Sequence, residues 1–204
     1  EAYYVNDADS LSVVRGRSTE PLTGTFIVFD LETTGLNPAN EEITEIAAVR
    51  MVEGEIRDSF QTYVNPHKPI PAEITELTGI SDETVADAPD LDEAVPKFLA
   101  WAGEGQYPLV AHNAGFDMGF LRTACKRLGI EREFTSIDTL EMSRLMLPHL
   151  HKFKLNILAK ELQVGPFEHH RASEDAAVLG IGAAHFVHAQ IAPLFGYLQI
   201  GRAH

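Results

Sequence analysis

Cysteine is nearly absent: Cys125 stands alone among 204 residues. No internal disulfide can form, which suits a reducing compartment, and a lone Cys in a helical stretch reads as a small buried hydrophobe. Long apolar runs are missing as well, since none approaches the ~20 residues a membrane helix needs. No charged-then-apolar leader opens the chain, so no signal peptide is expected. The first residue is Glu1 rather than Met, which points to an excised fragment or a processed form. Fifteen glycines and 11 prolines are too few for low complexity. Positive charge is scarce: 16 Lys and Arg face 30 Asp and Glu, for a net −14. Such a surface repels polyanions, so composition argues against a nucleic-acid ligand unless cations or a basic tether intervene.

What remains is ordinary for a folded domain. The apolar fraction is 45% and the charged fraction 23%, and at ~150 residues per domain the length predicts one domain, two at most. No internal repeat is visible. Residues 1–24 read as a polar flanking segment with one short strand. Phe26 to Phe29 is a buried strand ended by the turn residues Thr33 to Pro38. Ile43–Val52 and Glu55–Val64 follow as strands with a turn at Glu53, so the three form an antiparallel meander. Pro71–Leu77 and Asp90–Trp101 read as helices, Pro108–Ala111 as a strand, and Ala114–Leu128 as a helix stopped by Gly129. Ser136–Asp138 is a fifth strand, with helices at Leu140–Leu147, Leu155–Leu162 and about Ala172–His188. Meander followed by strand–helix alternation predicts an α/β fold, a mixed five-stranded sheet with helices on its faces.

Three groups of residues carry chemistry. Asp30 and Glu32 stand at i, i+2 where a buried strand ends, so both carboxylates share a face. At ~4 Å and an effective dielectric of ~20 their repulsion is about 4 kcal/mol, which a cation would relieve; a solvated strand end is the plainer reading. Asp117 lies in the first turn of a helix, inside Ala111-His112-Asn113-Ala114-Gly115-Phe116-Asp117. An acid there also serves the helix dipole without any ligand. Last comes His169-His170-Arg171-Ala172-Ser173-Glu174-Asp175. A His in the loop and an Asp one turn into the helix could meet, although each residue alone reads as structural.

The joint order is more telling than each part. Asp-x-Glu, then Asp in H-N-x-x-F-D, then His-x4-Asp before a helix, resembles the DEDDh family of 3′→5′ exonucleases. The likeness spans about residues 25–190 and leaves 191–204 as a tail. It includes Thr33-Thr34-Gly35-Leu36, Ile43 to Val49, Leu77-Thr78-Gly79-Ile80 and Ile137-Asp138-Thr139. Within the family it is nearest to the proofreading exonucleases of bacterial DNA polymerase III. Gly165 to Ala172 and the first 20 residues look more like the kind inserted in PolC-type alpha subunits than the separate epsilon subunit.

The resemblance implies a ribonuclease H-like fold and a phosphodiester hydrolase with two Mg²⁺ or Mn²⁺ ions. Asp30, Glu32 and Asp175 would hold the ions, Asp117 would complete the site directly or through water, and His170 would take the proton from the attacking water. His170 rather than His169 gives the x4 spacing. Two ions about 3.5–4 Å apart activate water and steady the leaving oxygen, carboxylate ligands suit these hard cations, and an imidazole can be neutral near pH 7. The Thr33, Thr34, Gly35, Leu36 turn would hold the terminal nucleotide by its backbone. Leu36 and Leu77 would wedge its base, or else pack in the core. Phe116 would stack near the next base, and His112, beside Asn113, would reach a phosphate. The implied partners are a single-stranded or frayed DNA 3′ end and a DNA polymerase to which the domain is tethered, in the cytoplasm and away from membranes.

The same residues admit other readings. An RNA-trimming exonuclease would keep the chemistry and change the polymer. A non-catalytic binding module would be expected to have lost one of the five residues. A phosphatase with an aspartyl nucleophile would usually carry a second Asp where Glu32 stands. His149 and His151 read as surface loop residues rather than zinc ligands. Glu45 lies mid-strand, either bonded near the site or facing solvent. Gly180 and Gly182 suit close helix–sheet packing, and Trp101 reads as core.

Overall fold

Two nearly continuously buried segments, followed by a more exposed third, build the centre of the molecule. The computed structural model describes residues 2–6, 10–14, 24–53 and 55–162. Strands β1 (Ala2–Asn6), β2 (Ser10–Val14), β3 (Thr25–Thr33), β4 (Ile43–Val52) and β5 (Glu55–Tyr63) come first. Helices α1 (Ala72–Thr78), α2 (Asp82–Val85) and α3 (Leu91–Trp101) follow. Next are β6 (Leu109–Ala111), α4 (Ala114–Arg127), β7 (Thr135–Asp138), α5 (Thr139–Met146) and α6 (Leu155–Glu161).

The strands form one sheet in the order β2-β1-β7-β6-β3-β4-β5. β3, β4 and β5 are the expected antiparallel meander. β6 and β7 join it in parallel, each reached through a helix. The five expected strands are therefore all present. Where one short strand was expected in the flank, β1 and β2 form an antiparallel pair that extends the sheet beyond β7. α2 was not expected. It is a single turn whose N-cap Ser81 accepts from the Thr84 N–H while the Thr84 hydroxyl accepts from the Ser81 N–H. The helix expected at Ala172–His188, with Gly180 and Gly182, lies outside the described residues.

Both faces of β3 are covered, as its unbroken burial from Phe26 to Phe29 requires. Ile27, Phe29 and Leu31 pack with Val95 and Phe98 of α3 and Met118 and Leu121 of α4. Cys125 is buried in that same core. Phe26 and Val28 face the other way, with Ala47, Val49, Val110 and Ile137, under Met142 of α5 and Leu155 of α6. A satellite cluster of Ile70, Ile80 and Val85 holds α1 and α2 together beside β5. Trp101 is half-buried. Its ring packs on Phe60 and under the Arg50 guanidinium, and its Nε1 donates to Asp58 at 2.8 Å. Among the described residues no helix is long and apolar enough to cross a membrane.

Candidate active site

The β3 face that carries Phe26 and Val28 continues into Asp30 and Glu32. The strand runs on to Thr33, so both acids lie inside it rather than just past its end, and a bulge follows between Glu32 and Thr33. Directly across on β4, the partner of Glu32 is another acid, Glu45. Glu45 is fully buried, and Gln61 of β5 donates to its Oε1 at 2.7 Å. The solvent-facing reading of Glu45 is therefore wrong: three carboxylates line one face of the sheet.

Asp117 arrives from the other side. β6 stops at Ala111, so beyond Val28 the β3 edge loses its strand partner. The Leu31 N–H on that edge is taken instead by Asp117 Oδ1 at 3.0 Å. Asp117 sits in the first turn of α4 and is only 2% exposed. Its anionic form gains from the helix N-terminus, and its bond to the residue between Asp30 and Glu32 brings the helix start against the acid pair.

The electrostatics follow from crowding anions in a poorly solvated place. Burial pushes the Asp30 carboxyl well above its usual range, and Asp117 and Glu45 push further. Glu32 is raised to about 8, by burial first and then by Asp30 and Glu45. Asp117 is raised to about 8 by burial, against the lowering pull of its backbone bonds, with Glu32 and Asp138 adding to the rise. Burial and Glu45 also raise the Tyr63 phenol. These groups ask for protons or for a cation.

The neighbouring turns are tightly built. Thr33 and Thr34 are buried. The Thr33 hydroxyl donates to Gly35 O at 2.7 Å, and the Thr34 hydroxyl donates to Glu41 at 2.5 Å while accepting from Glu42 N–H at 3.0 Å. Gly35 is needed here, because an added Cβ would stand 2.9 Å from Cγ of Glu41. Leu36 is 83% exposed and Leu77 80%, which removes the core-packing reading for both. Phe116 is half-buried, with its ring 5.1 Å from that of Phe120. Asn113 caps α4 in the left-handed region, φ 66, a conformation Asn tolerates. Its N–H donates to Asp138 at 2.9 Å. Both ring nitrogens of His112 are engaged, Nδ1 with the Thr139 hydroxyl and Nε2 with Phe153 O, each at 3.0 Å. Burial lowers its pKa, and its two bonds make the ring a brace between Thr139 and Phe153.

The structure thus brings together Asp30, Glu32 and Asp117. His170 and Asp175, with His169, lie outside the described residues. Among the described residues no group of three or more His, Cys, Asp or Glu could hold a metal ion unaided. His149 is a surface residue that pairs with Glu161 at 2.8 Å. Sequence reading leaves Glu45 undecided, although an acid in mid-strand, two residues from Ile43 on one side and Ala47 on the other, is the available signal. It names Asp138 within Ile137-Asp138-Thr139 without giving it a role, whereas the side chain accepts from the N–H groups of Asn113 and Leu140 at once; an Asp between a strand and a helix is a capping pattern.

Comparison with known proteins agrees with this geometry. The family model described as "Exonuclease" matches residues 27–180. The DNA polymerase III PolC-type of Caldanaerobacter subterraneus subsp. tengcongensis is 48% identical over 176 residues, which cover 86% of this chain and 12% of that protein. That of Bacillus subtilis is 46% identical over 154 residues, 74% of this chain and 10% of that protein. The chain therefore spans about a tenth of the length of the curated relatives it matches. Among solved structures, Exonuclease X in complex with 5′ overhanging duplex DNA is 26% identical with a TM-score of 0.61, covering 85% of this chain and 90% of that one. E. coli Exonuclease I with a dA16 oligonucleotide is 18% identical with a TM-score of 0.66, covering 88% and 41%, and shares the fold.

Proposed function

The chain belongs to the exonuclease family, and from that premise we propose that it removes nucleotides from the 3′ end of DNA as a proofreading unit of a polymerase III of the PolC type. Residues 25–190 would form the exonuclease, flanked by 1–24 and by the tail 191–204. One observation carries this reading: Asp117 reaches Leu31 from α4 and so joins the Asp30–Glu32 pair.

The donor set fits hard divalent cations. It is made of carboxylate oxygens crowded by burial, whose upward-shifted pKa values suit a partner of positive charge. Asp30, Glu32 and Asp175 would hold two Mg²⁺ or Mn²⁺, with Asp117 completing the site. When bound, such ions supply an activated water and stabilise charge on the leaving oxygen. The chain's own residues do the rest. His170 accepts the proton of the attacking water. The backbone of Thr33 to Leu36, stiffened by Thr34 and Glu41, receives the terminal nucleotide. Leu36 and Leu77 offer apolar surface to its base, and Phe116 flanks the next. Asn113 and His112 hold the start of α4 at the site's edge. A replicative partner would keep the unit in the cytoplasm.

The test uses single-stranded DNA labelled at the 3′ or the 5′ end, with Mg²⁺, Mn²⁺ or EDTA. Nucleoside 5′-monophosphates released from the 3′ end only when metal is present are expected. Attack from the 5′ end, or cleavage in EDTA, overturns the reading. Faster trimming of a matched RNA oligonucleotide would move the substrate to RNA.

A further inference from the structure

Two large apolar side chains stand almost wholly in solvent, Leu36 and Leu77, and they belong to different parts of the fold. Leu36 is on the turn between β3 and β4. Leu77 is on α1, in the satellite unit whose own core is Ile70, Ile80 and Val85. That unit carries its own internal ties, including the Ile70 N–H to Asp82 at 2.8 Å. Its spacing from the Leu36 turn therefore depends on what bridges the two.

Lys68 bridges them. It lies four residues ahead of α1, and its Nζ donates to Glu41 Oε2 at 2.7 Å and to Asn40 O at 3.1 Å. The same Glu41 oxygen accepts from the Thr34 hydroxyl at 2.5 Å, and Thr34 is bonded in turn to both the N–H and the carbonyl of Glu42. A side chain at position 35 would collide with the Glu41 stem, so Gly35 leaves that carboxylate its place. A short chain of bonds thus runs from the satellite unit through Lys68, Glu41 and Thr34 to the turn that carries Leu36. Exposed ion pairs on their own contribute little. This one is only partly exposed, at 35% and 26% for the two side chains, and it is branched, so it restricts geometry more than it adds stability. The Glu41 carboxyl is held below its usual range by Lys68 and Thr34, so the bridge stays ionised.

Resting on the exonuclease reading above, we propose that Lys68 is a positioning residue: through Glu41 it fixes the separation of Leu36 and Leu77, and so sets how firmly a DNA 3′ end is held without taking part in hydrolysis. A held end is a binding effect common to ground and transition states, which moves KM and leaves kcat.

Steady-state kinetics of the full chain on single-stranded DNA with Mn²⁺ test this, comparing wild type, Lys68→Met, Lys68→Arg and Glu41→Gln. KM should rise about three- to tenfold in Lys68→Met and Glu41→Gln, with kcat within about twofold. Lys68→Arg should recover most of the loss. In parallel, spin labels on Leu36→Cys/Leu77→Cys, in a Cys125→Ser background, should give a narrow distance distribution that broadens when Lys68→Met is added. An unchanged KM, a loss confined to kcat, or an unaltered label distance overturns the inference while the nuclease reading stands. A wild type with no metal-dependent cleavage removes both.

Discussion

At the scale of single residues, the acid cluster makes stability depend on pH in an unusual sense. Glu32 and Asp117 titrate near 8 in the fold, against 4.5 and 3.8 as their ordinary values. Between pH ~4 and ~8 the folded state keeps protons that the unfolded chain has released. Their contribution is therefore full at the acid end and is lost as pH rises through about 8. Metal-free protein is expected to melt lower at pH 8.5 than at pH 5.5, by about 3–5 °C or more. Added Mn²⁺ should raise Tm at pH 8.5 and do little at pH 5.5, because protons compete for the same oxygens; differential scanning fluorimetry across that range checks both. Asp30→Ala should abolish cleavage yet raise the melting temperature of the metal-free form at pH 8.5, since one carboxyl of the crowded, buried cluster is gone. A variant with normal turnover would defeat the metal assignment. His170→Ala should slow hydrolysis by roughly 10²–10⁴-fold with the Mn²⁺ effect on Tm retained, and His169→Ala should not. The Asp30–Glu32 pair was readable from strand alternation alone. Asp117 was ambiguous, because an acid in a first helical turn has a good reason to be there with no ligand at all.

At the scale of elements, the segments that bury two faces or one clean stripe were legible. β4 was placed at Ile43–Val52 from its apolar run, and α4 at Ala114 from its spacing and its glycine stop. What escaped was set by contacts outside the segment. The β1–β2 pair is held by ladder bonds to each other and to β7, and backbone bonds leave no mark on side-chain pattern. α2 is too short to show a period, and its cap uses Thr84 where Glu or Gln is usual. The junction of β7 with α5 and α4 depends on one carboxylate: Asp138 Oδ1 accepts from both Leu140 N–H and Asn113 N–H. Asp138→Ala should strand both donors and lower stability by about 1–3 kcal/mol in urea unfolding. Asp138→Asn, which keeps an acceptor oxygen, should lose less.

At the scale of the whole molecule, net charge governs encounter. With −14 over 204 residues, the isolated chain should bind single-stranded DNA weakly even in Ca²⁺, with Kd above about 1 µM. Fluorescence anisotropy measures this, and nanomolar binding would contradict it. A polymerase tether would supply by effective concentration what the surface withholds. Composition pointed away from nucleic acid, because a formal count ignores the few side chains that cations would neutralise. The Asp117–Leu31 bond has a consequence at this scale too. One oxygen both seals the open margin of the sheet and belongs to the reaction centre, so damage there cannot be silent: a protein that loses its chemistry through Asp117→Ala should also lose rigidity and become prey to proteases. An inert but sturdy trap for DNA ends is better made at Asp30, where removing charge relaxes the architecture instead of unstitching it.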